Sequence, residues 1–300
     1  MNEKRSVHLI ISLGLVALLV FAIMVAGCTS STGSQTPATT TAVPIQNVTI
    51  KISGSTTVLP IVQAAADAYE AAHPGADIEV SGGGSGVGMQ AIAAKTVDIG
   101  MTSAAVTPAQ LAANPNFVIT TIAHDGIAII VNPANTIKSI SLQQVSDIYT
   151  GKITTWTQIT GAGVPDTNNQ IVLIGRDSAS GTRTFFDQFV LNNTNPSSSM
   201  LEQNSNGAVA QSVAQTPQSI GYVSIGFLSP TVTALPISVN SSVLITPSAA
   251  TVADKTYPIH RDLYLVTQGQ PTGLTGDFIN FILSPAGQQI VSQQGYVPLS

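Results

Sequence analysis

Strand-like and helix-like stretches alternate from residue 47 onward, and this alternation constrains the fold more than any other feature of the sequence. VTIKI at residues 48–52 alternates apolar and polar side chains as a strand does, and residues 56–72 have a helical pattern. The second half repeats this order, with a strand predicted over 170–175 and a helix over 182–191. Such alternation predicts an α/β fold with mainly parallel sheets.

The pattern also predicts two separate strands and one aromatic helix face. Residues 117–123 and 126–131 are expected to form two separate strands, and the nearly continuous apolar run of the second predicts burial on both faces. The helix over 182–191 is expected to bury three aromatic side chains, Phe185, Phe186 and Phe189.

Three predicted loops place Gly, Ser and Thr between a strand and the following helix. They are SGSTT at 53–57, GGGSG at 82–86 and GRDSASGTR at 175–183. In parallel α/β sheets, ligands bind beyond the carboxyl ends of the strands, where helix N-termini offer unpaired N–H groups and a partial positive charge. Glycine keeps the backbone bare. We therefore expect the glycines to clear a path for a tetrahedral oxyanion.

Arg176, in the third loop, supplies a formal positive charge. Its guanidinium can donate to two oxygens of one anion, which a lysine cannot match. Only 8% of the residues are charged and only ten are basic, so each basic residue is a candidate for a specific role. Taken alone, each loop could be an ordinary turn, and Arg176 could form a surface ion pair. Together they are more specific, because all three loops occupy the same topological position.

Composition argues against several other functions. A net charge of −5 argues against nucleic-acid binding. Met89 stands where a Walker A loop has its lysine, and none of the four histidines belongs to an H-E-x-x-H motif. We therefore expect no enzyme, no cofactor and no metal site. The alternative of a secreted phosphohydrolase stays open, since His124 could pair with a serine in space.

The N-terminus has the features of a secretory signal. Lys4 and Arg5 precede an apolar run that ends in VAGC, a lipobox in which Cys28 would carry a lipid anchor. An uncleaved membrane anchor is the alternative. Residues 29–46 are rich in Ser and Thr and predict a flexible stalk. Both alternatives predict an extracytoplasmic protein held at the outer face of the cell membrane, with residues 1–28 as the targeting segment.

Eight stretches carry a resemblance to a known family. In chain order they are ISGSTTVLPIVQ, GGGSGVGMQAIAAKTVDIG, HDGIAIIVNP, LQQVSDIYTGKITTW, GRDSASGTRTFF, GYVSIGFL, YPIHRDLYLV and GYVPL. From about residue 47 to its end, the chain resembles the substrate-binding lipoproteins of the ABC-type phosphate importer (PstS-like). The resemblance implies a two-lobed, periplasmic-binding-protein-like α/β fold with two crossover hinge segments.

Carried over to this sequence, the family fold assigns residues to two lobes. Lobe I would comprise 47–125 plus 260–300, and lobe II would comprise 126–259. The crossovers would lie near His124–Gly126 and Pro258–Arg261. Closure about this hinge would trap the ligand between the lobes.

The resemblance also implies the contacts to phosphate. They fall in the same three loops that the helix-terminus argument selects. The residues are Thr56, Thr57, Ser85, Arg176, Ser180, Gly181 and Thr182.

One position departs from the family pattern. Many members have an Asp that accepts a hydrogen bond from protonated phosphate, and Ser103 in VDIGMTSAA stands at that position. Ser103 therefore joins the expected site, and Asp125 or Asp177 is the candidate acceptor. Because a serine can donate as well as accept, selectivity between phosphate and sulfate is left open.

The resemblance implies partners as well. We expect a monomer that binds inorganic phosphate and delivers it to an ABC permease driven by a cytoplasmic ATPase. Two further alternatives remain at this point. One is a binding protein for another oxyanion, namely sulfate, molybdate or tungstate, and the other is a surface interaction protein that has lost transport.

Overall fold

The computed structural model describes residues 47–159, 161–165, 167–240 and 243–299. The targeting segment, Cys28 and the stalk predicted for residues 29–46 lie outside the described residues. None of the described helices combines the length and apolarity that a membrane span requires.

The elements alternate much as the sequence predicts. The strands are β1 (Val48–Gly54), β2 (Ala76–Gly83), β3 (Ile99–Thr102), β4 (Phe117–Val131), β5 (Ile140–Ser141), β6 (Val172–Arg176), β7 (Leu201–Gln203), β8 (Ser219–Ser224), β9 (Thr233–Ala234), β10 (Ile237–Asn240), β11 (Val243–Ile245) and β12 (His260–Gln268). The helices are α1 (Leu59–Ala72), α2 (Ser85–Ala93), α3 (Pro108–Ala113), α4 (Leu142–Tyr149), α5 (Gly181–Phe189), α6 (Asn206–Gln215), α7 (Ala249–Ala253), α8 (Gly273–Leu283) and α9 (Pro285–Gln293).

The strands form a mixed sheet rather than a mainly parallel one. Within the described residues, the large sheet has the order β2-β1-β3-β12-β4-β8-β6-β7, with β9 paired to β4. The pairs β1–β2, β1–β3, β6–β7 and β6–β8 are parallel, whereas β12 is antiparallel to β3 and β4, and β4 is antiparallel to β8 and β9. The expectation of mainly parallel sheets is therefore wrong, because two long strands run in opposite directions through the centre.

The two strands expected over 117–123 and 126–131 are one continuous strand, β4. His124 and Asp125, the two polar residues between these stretches, do not interrupt the strand, because their backbone pairs with β12. His260 lies opposite Gly126, Arg261 opposite Asp125, and Asp262 opposite His124. The two predicted crossover segments are therefore neighbours in one antiparallel ladder.

Two large hydrophobic clusters divide the residues of β4 and β12 and their neighbours between them. One contains Ile50, Ala123 and Leu263 among its members, and the other contains Ile127 and Ile259. The described residues belong to one compact unit. The boundary between lobes stays a prediction.

Helix α5 shows how local sequence positions the third loop. The side chain of Ser180 caps the helix by accepting from the backbone N–H of Arg183, so the helix begins directly after this polar residue. Phe186 is fully buried and Phe185 is half-buried, but Phe189 is 47% exposed. The expected burial of Phe189 is wrong, because it lies in the last turn, where it stacks on Phe185 at the surface.

Candidate functional site

The three predicted loops meet one another. The backbone N–H of Gly84 donates to the carbonyl of Gly54, which joins the second loop to the first (2.9 Å). The N–H of Gly86 donates to the carbonyl of Ala179, which joins the second loop to the third (2.9 Å). The three loops therefore converge, as the sequence predicts.

The glycines of the second loop make room for protein backbone rather than for the expected anion. Gly84 has φ +99°, and a Cβ there would lie 2.7 Å from the carbonyl oxygen of Ala179. A Cβ on Gly86 would also contact Ala179. The third loop occupies the space beside these two glycines, and it can approach so closely only because they have no side chains.

Serine hydroxyls from the first two loops and from the end of β3 form a buried chain. Ser55 Oγ donates to Ser103 Oγ (3.0 Å), and Ser103 Oγ lies 3.3 Å from Ser85 Oγ. Ser85 Oγ also accepts from the backbone N–H of Ser103 (3.0 Å). Gly181 packs directly against this chain, since a Cβ there would collide with Ser85 Oγ and lie 2.8 Å from Ser103 Oγ. Ser85, Ser103 and Gly181, all predicted site residues, therefore come together.

Threonines form the second part of the cluster. Thr57 Oγ1 lies 3.0 Å from Thr182 Oγ1, so the first loop touches the third directly. The amide of Asn206, a residue that sequence reasoning missed, donates to Thr57 Oγ1 (2.9 Å) and Thr56 Oγ1 (3.4 Å). Its Oδ1 accepts from the backbone N–H of Ser224 (3.2 Å). Asn206 is the first residue of α6. A polar residue at the start of a helix, as in the three loops, was the sequence signal that could have identified it.

Arg261 is the most consequential residue that the sequence argument missed. Its Nη2 donates to Thr182 Oγ1 (3.0 Å) and Thr57 Oγ1 (3.3 Å), and its Nη1 donates to the carbonyl of Ser103 (3.0 Å). A single guanidinium therefore touches the first and third loops and the end of β3. The signal was its position, since it is one of ten basic residues and belongs to a predicted crossover.

Asp125 is fully buried and forms an ion pair with Arg261. Its Oδ2 accepts from Nε (3.0 Å) and Nη2 (2.8 Å) of the guanidinium, and its Oδ1 accepts from Ser224 Oγ (2.6 Å). Burial raises the pKa of the Asp125 carboxyl, although the Arg261 charge and these hydrogen bonds oppose the shift. Both oxygens already have partners. The predicted acceptor role of Asp125 stays untested, and the contacts favour a role as counterion.

Arg176 is buried, with only 1% of its surface exposed. Its Nε and Nη2 donate to the carbonyls of Gln203 (3.1 Å) and Asn204 (3.1 Å), which uses two of its five N–H donors. Burial is the main cause that lowers the pKa of this guanidinium, and the nearby charge of Arg261 adds to the effect. No acidic side chain in the described part of the chain forms an ion pair with it.

The neighbouring residues of the third loop brace Arg176. Arg183 donates from Nη1 to the carbonyl of Arg176 (3.0 Å) and pairs with Asp187 and Glu202, so it supports the loop from outside. One oxygen of Asp177 is buried and has no hydrogen-bond partner in the described structure.

Charge distinguishes this cluster from an ordinary polar core. Of the charged side chains in the described residues, Arg176, Arg261 and Asp125 are buried. Two positive charges against one negative charge leave a formal charge of +1 inside the protein. Buried charges are costly unless they are paired. The arrangement therefore suits a small anion with many acceptor oxygens, and a cavity of about 340 Å³ opens beside Ser85 and Gly181.

Comparison with known proteins places the chain in a family. A model described as a PBP superfamily domain matches residues 30–286. The phosphate-binding protein PstS of Bacillus subtilis (strain 168) is 34% identical over 253 residues, which cover 84% of this chain and 81% of that protein. The phosphate-binding protein PstS of Borreliella burgdorferi is 30% identical over 259 residues, which cover 83% of this chain and 89% of that protein.

Solved structures agree with these relatives. A candidate phosphate ABC transporter substrate-binding protein of Clostridium perfringens, solved with bound phosphate, has a TM-score of 0.76 and 29% identity, and the match covers 84% of this chain and 100% of that chain. An ABC-type phosphate transport receptor of Vibrio cholerae has a TM-score of 0.68 and 29% identity, and that match covers 83% and 100%. The predicted two-lobed, periplasmic-binding-protein-like α/β fold is confirmed. This chain belongs to the PBP superfamily and, within it, to the family of the phosphate-binding proteins PstS.

Proposed function

We propose that this protein is an extracytoplasmic substrate-binding protein that captures inorganic phosphate and delivers it to an ABC importer. The names of its relatives and the phosphate bound in a similar structure support this function. The observation that carries it is the buried formal charge of +1 in a cluster rich in hydroxyl and N–H donors. A phosphate anion would supply both the opposite charge and the missing acceptors.

The proposed contacts keep the residues expected from the sequence and add one. Arg261 joins them, because its guanidinium already touches two of the loops. Asp125 serves as its counterion. The contacts retained from the sequence are Thr56, Thr57, Ser85, Ser103, Arg176, Ser180, Gly181 and Thr182.

Closure of two lobes is part of the proposal. The hydrophobic clusters support the expected division into 47–125 plus 260–300 and 126–259, because their members change between Ala123 and Ile127 and again between Ile259 and Leu263; Val297 is an exception, since it packs in the cluster of the second lobe. A ligand can drive closure only through contacts that it makes with both lobes. Loops from both proposed lobes meet at the hydroxyl cluster, so one anion could contact both.

The cellular setting and the partners follow the same reasoning. The relatives are named as binding proteins and a transport receptor, so we propose that the chain is not an enzyme and that it meets an ABC permease and its ATPase. That it acts as a monomer rests on the sequence resemblance alone. Anchoring through a lipid on Cys28 rests on the lipobox alone. Incubation with a chromogenic phosphate ester should release no product, and turnover that depends on His124 would support the phosphohydrolase instead.

Calorimetry on the full chain in a mild detergent tests the proposal. We expect one phosphate per chain with a dissociation constant that is micromolar or tighter. Arg176→Ala should weaken binding at least about 100-fold, since two charge-assisted hydrogen bonds are worth about 1.5–3 kcal/mol each. Lys152→Ala removes an exposed positive charge that pairs with Asp147 and should leave the affinity unchanged. Unchanged affinity in Arg176→Ala would remove this residue from the site, and absence of heat in the wild type would refute the function.

A further inference from the structure

We infer that the site accepts tetrahedral oxyanions whether or not they carry a proton, so that it binds sulfate nearly as well as phosphate. This inference rests on the proposed function and concerns the ligand class of the same site. It follows from the kind of groups that the protein places around Ser103.

The serine chain has one more hydroxyl hydrogen than its internal contacts use. Ser55, Ser103 and Ser85 carry three hydroxyl hydrogens, and the two contacts between them use two. One hydrogen is left for a ligand oxygen. The contact between Ser103 and Ser85 can run in either direction, because either hydroxyl can be the donor. The chain can therefore present its spare hydrogen from Ser85 or from Ser103.

The same chain can also accept. When Ser103 donates to Ser85, one of its lone pairs takes the hydrogen of Ser55 and the other stays open to an O–H of the ligand. A bare oxygen can take the spare hydrogen of the chain, and a protonated oxygen can donate to Ser103 while another oxygen of the same anion takes the spare hydrogen of Ser85. A carboxylate would behave differently, since it only accepts and would repel an unprotonated oxygen.

The carboxylates near the site do not restore this discrimination. Asp125 uses Oδ2 for Arg261 and Oδ1 for Ser224. Asp177 has one buried oxygen without a hydrogen-bond partner in the described residues, so no hydrogen bond joins that oxygen to the hydroxyl chain. The guanidinium that contacts the hydroxyl chain is that of Arg261, whose Nη1 donates to the carbonyl of Ser103, and neither a hydroxyl nor a guanidinium requires a proton on the ligand.

The wild-type protein tests the inference directly. The full chain in mild detergent is titrated with phosphate and, separately, with sulfate at pH 7.5. We expect the dissociation constant for sulfate to lie within about tenfold of that for phosphate, a difference of at most about 1.4 kcal/mol. Phosphate binding with sulfate more than about 1,000-fold weaker would overturn the inference and leave the proposed function intact. Failure to bind phosphate would overturn the proposed function itself.

Substitutions at Ser103 and Asp177 locate the cause. Ser103→Asp introduces an acceptor-only group and should weaken sulfate at least 100-fold relative to phosphate. Ser103→Asn introduces a side chain of the same size as Asp without its charge, and it should keep the wild-type ratio of the sulfate and phosphate dissociation constants. This variant separates the effect of charge from that of crowding beside Gly181. Asp177→Asn should also keep the ratio. If the wild type rejects sulfate and Asp177→Asn admits it, Asp177 is the discriminating acceptor and the inference is wrong.

Discussion

Removal of the Arg261 guanidinium should destabilise the protein far more than removal of a surface charge. Arg261→Met keeps much of the aliphatic bulk but leaves Asp125 as a carboxylate that is 0% exposed. The remaining hydrogen bond, from Ser224 Oγ, cannot neutralise it. Breaking a buried ion pair in this way costs about 3–5 kcal/mol. For a chain of this size, that loss lowers the melting temperature by about 10 °C.

Chemical denaturation of the full chain in mild detergent measures this free energy. Asp125→Asn in the Arg261→Met background removes the stranded charge and should recover most of the loss, so the double-mutant cycle should show strong coupling. Lys51→Met is the matched control, because Lys51 and Glu79 form an ion pair with both side chains 58% exposed. Such a pair contributes at most about 1 kcal/mol. A cost below 1 kcal/mol for Arg261→Met, or no coupling with Asp125, would refute this reasoning.

Two further predictions concern the packing of Gly181 against the serine chain and the titration of Asp125. Gly181→Ala should weaken phosphate binding about 5- to 150-fold, the equivalent of 1–3 kcal/mol of overpacking, because the new methyl group meets Ser85 Oγ. Gly207→Ala, at the start of α6 with open space around its Cβ, should leave the calorimetric affinity unchanged, and equal effects of the two would contradict the close packing. Burial raises the pKa of Asp125 above its ordinary value of 3.8, so the folded state holds this proton more tightly than the unfolded chain does. The stability from this group is complete below pH 3.8 and is lost as pH rises through the raised pKa, and Asp125→Asn should flatten that fall in denaturation curves. A slope that Asp125→Asn leaves unchanged would assign the fall to other groups.

The sequence predicts the loops better than it predicts the strands between them. Gly, Ser and Thr at the ends of β1, β2 and β6 mark helix starts through local backbone chemistry, which a single sequence contains. The continuity of β4 could not be predicted, because it depends on the ladder with β12, and these strands lie more than 130 residues apart along the chain at the Arg261–Asp125 pair. Local patterns do not report such a pairing.

Because local patterns do not report contacts between distant segments, the sequence does not identify Arg261 as a site residue. Arg176 lies inside a Gly/Ser-rich loop, so its neighbours in sequence indicate its role. Arg261 lies in a strand, and its partners Thr57, Thr182 and Asp125 come from three distant segments. The glycines of the second loop were predicted for a valid reason, close approach of bare backbone, but the backbone of Ala179 is what comes close.

A crystal structure of the full chain with phosphate would test the central claim most directly. We expect one phosphate with oxygens within about 3.2 Å of donors on Arg176 and Arg261, on Ser85, and on the start of α5. Phosphate bound elsewhere, or an Arg176 side chain directed into solvent away from the ion, would contradict the account.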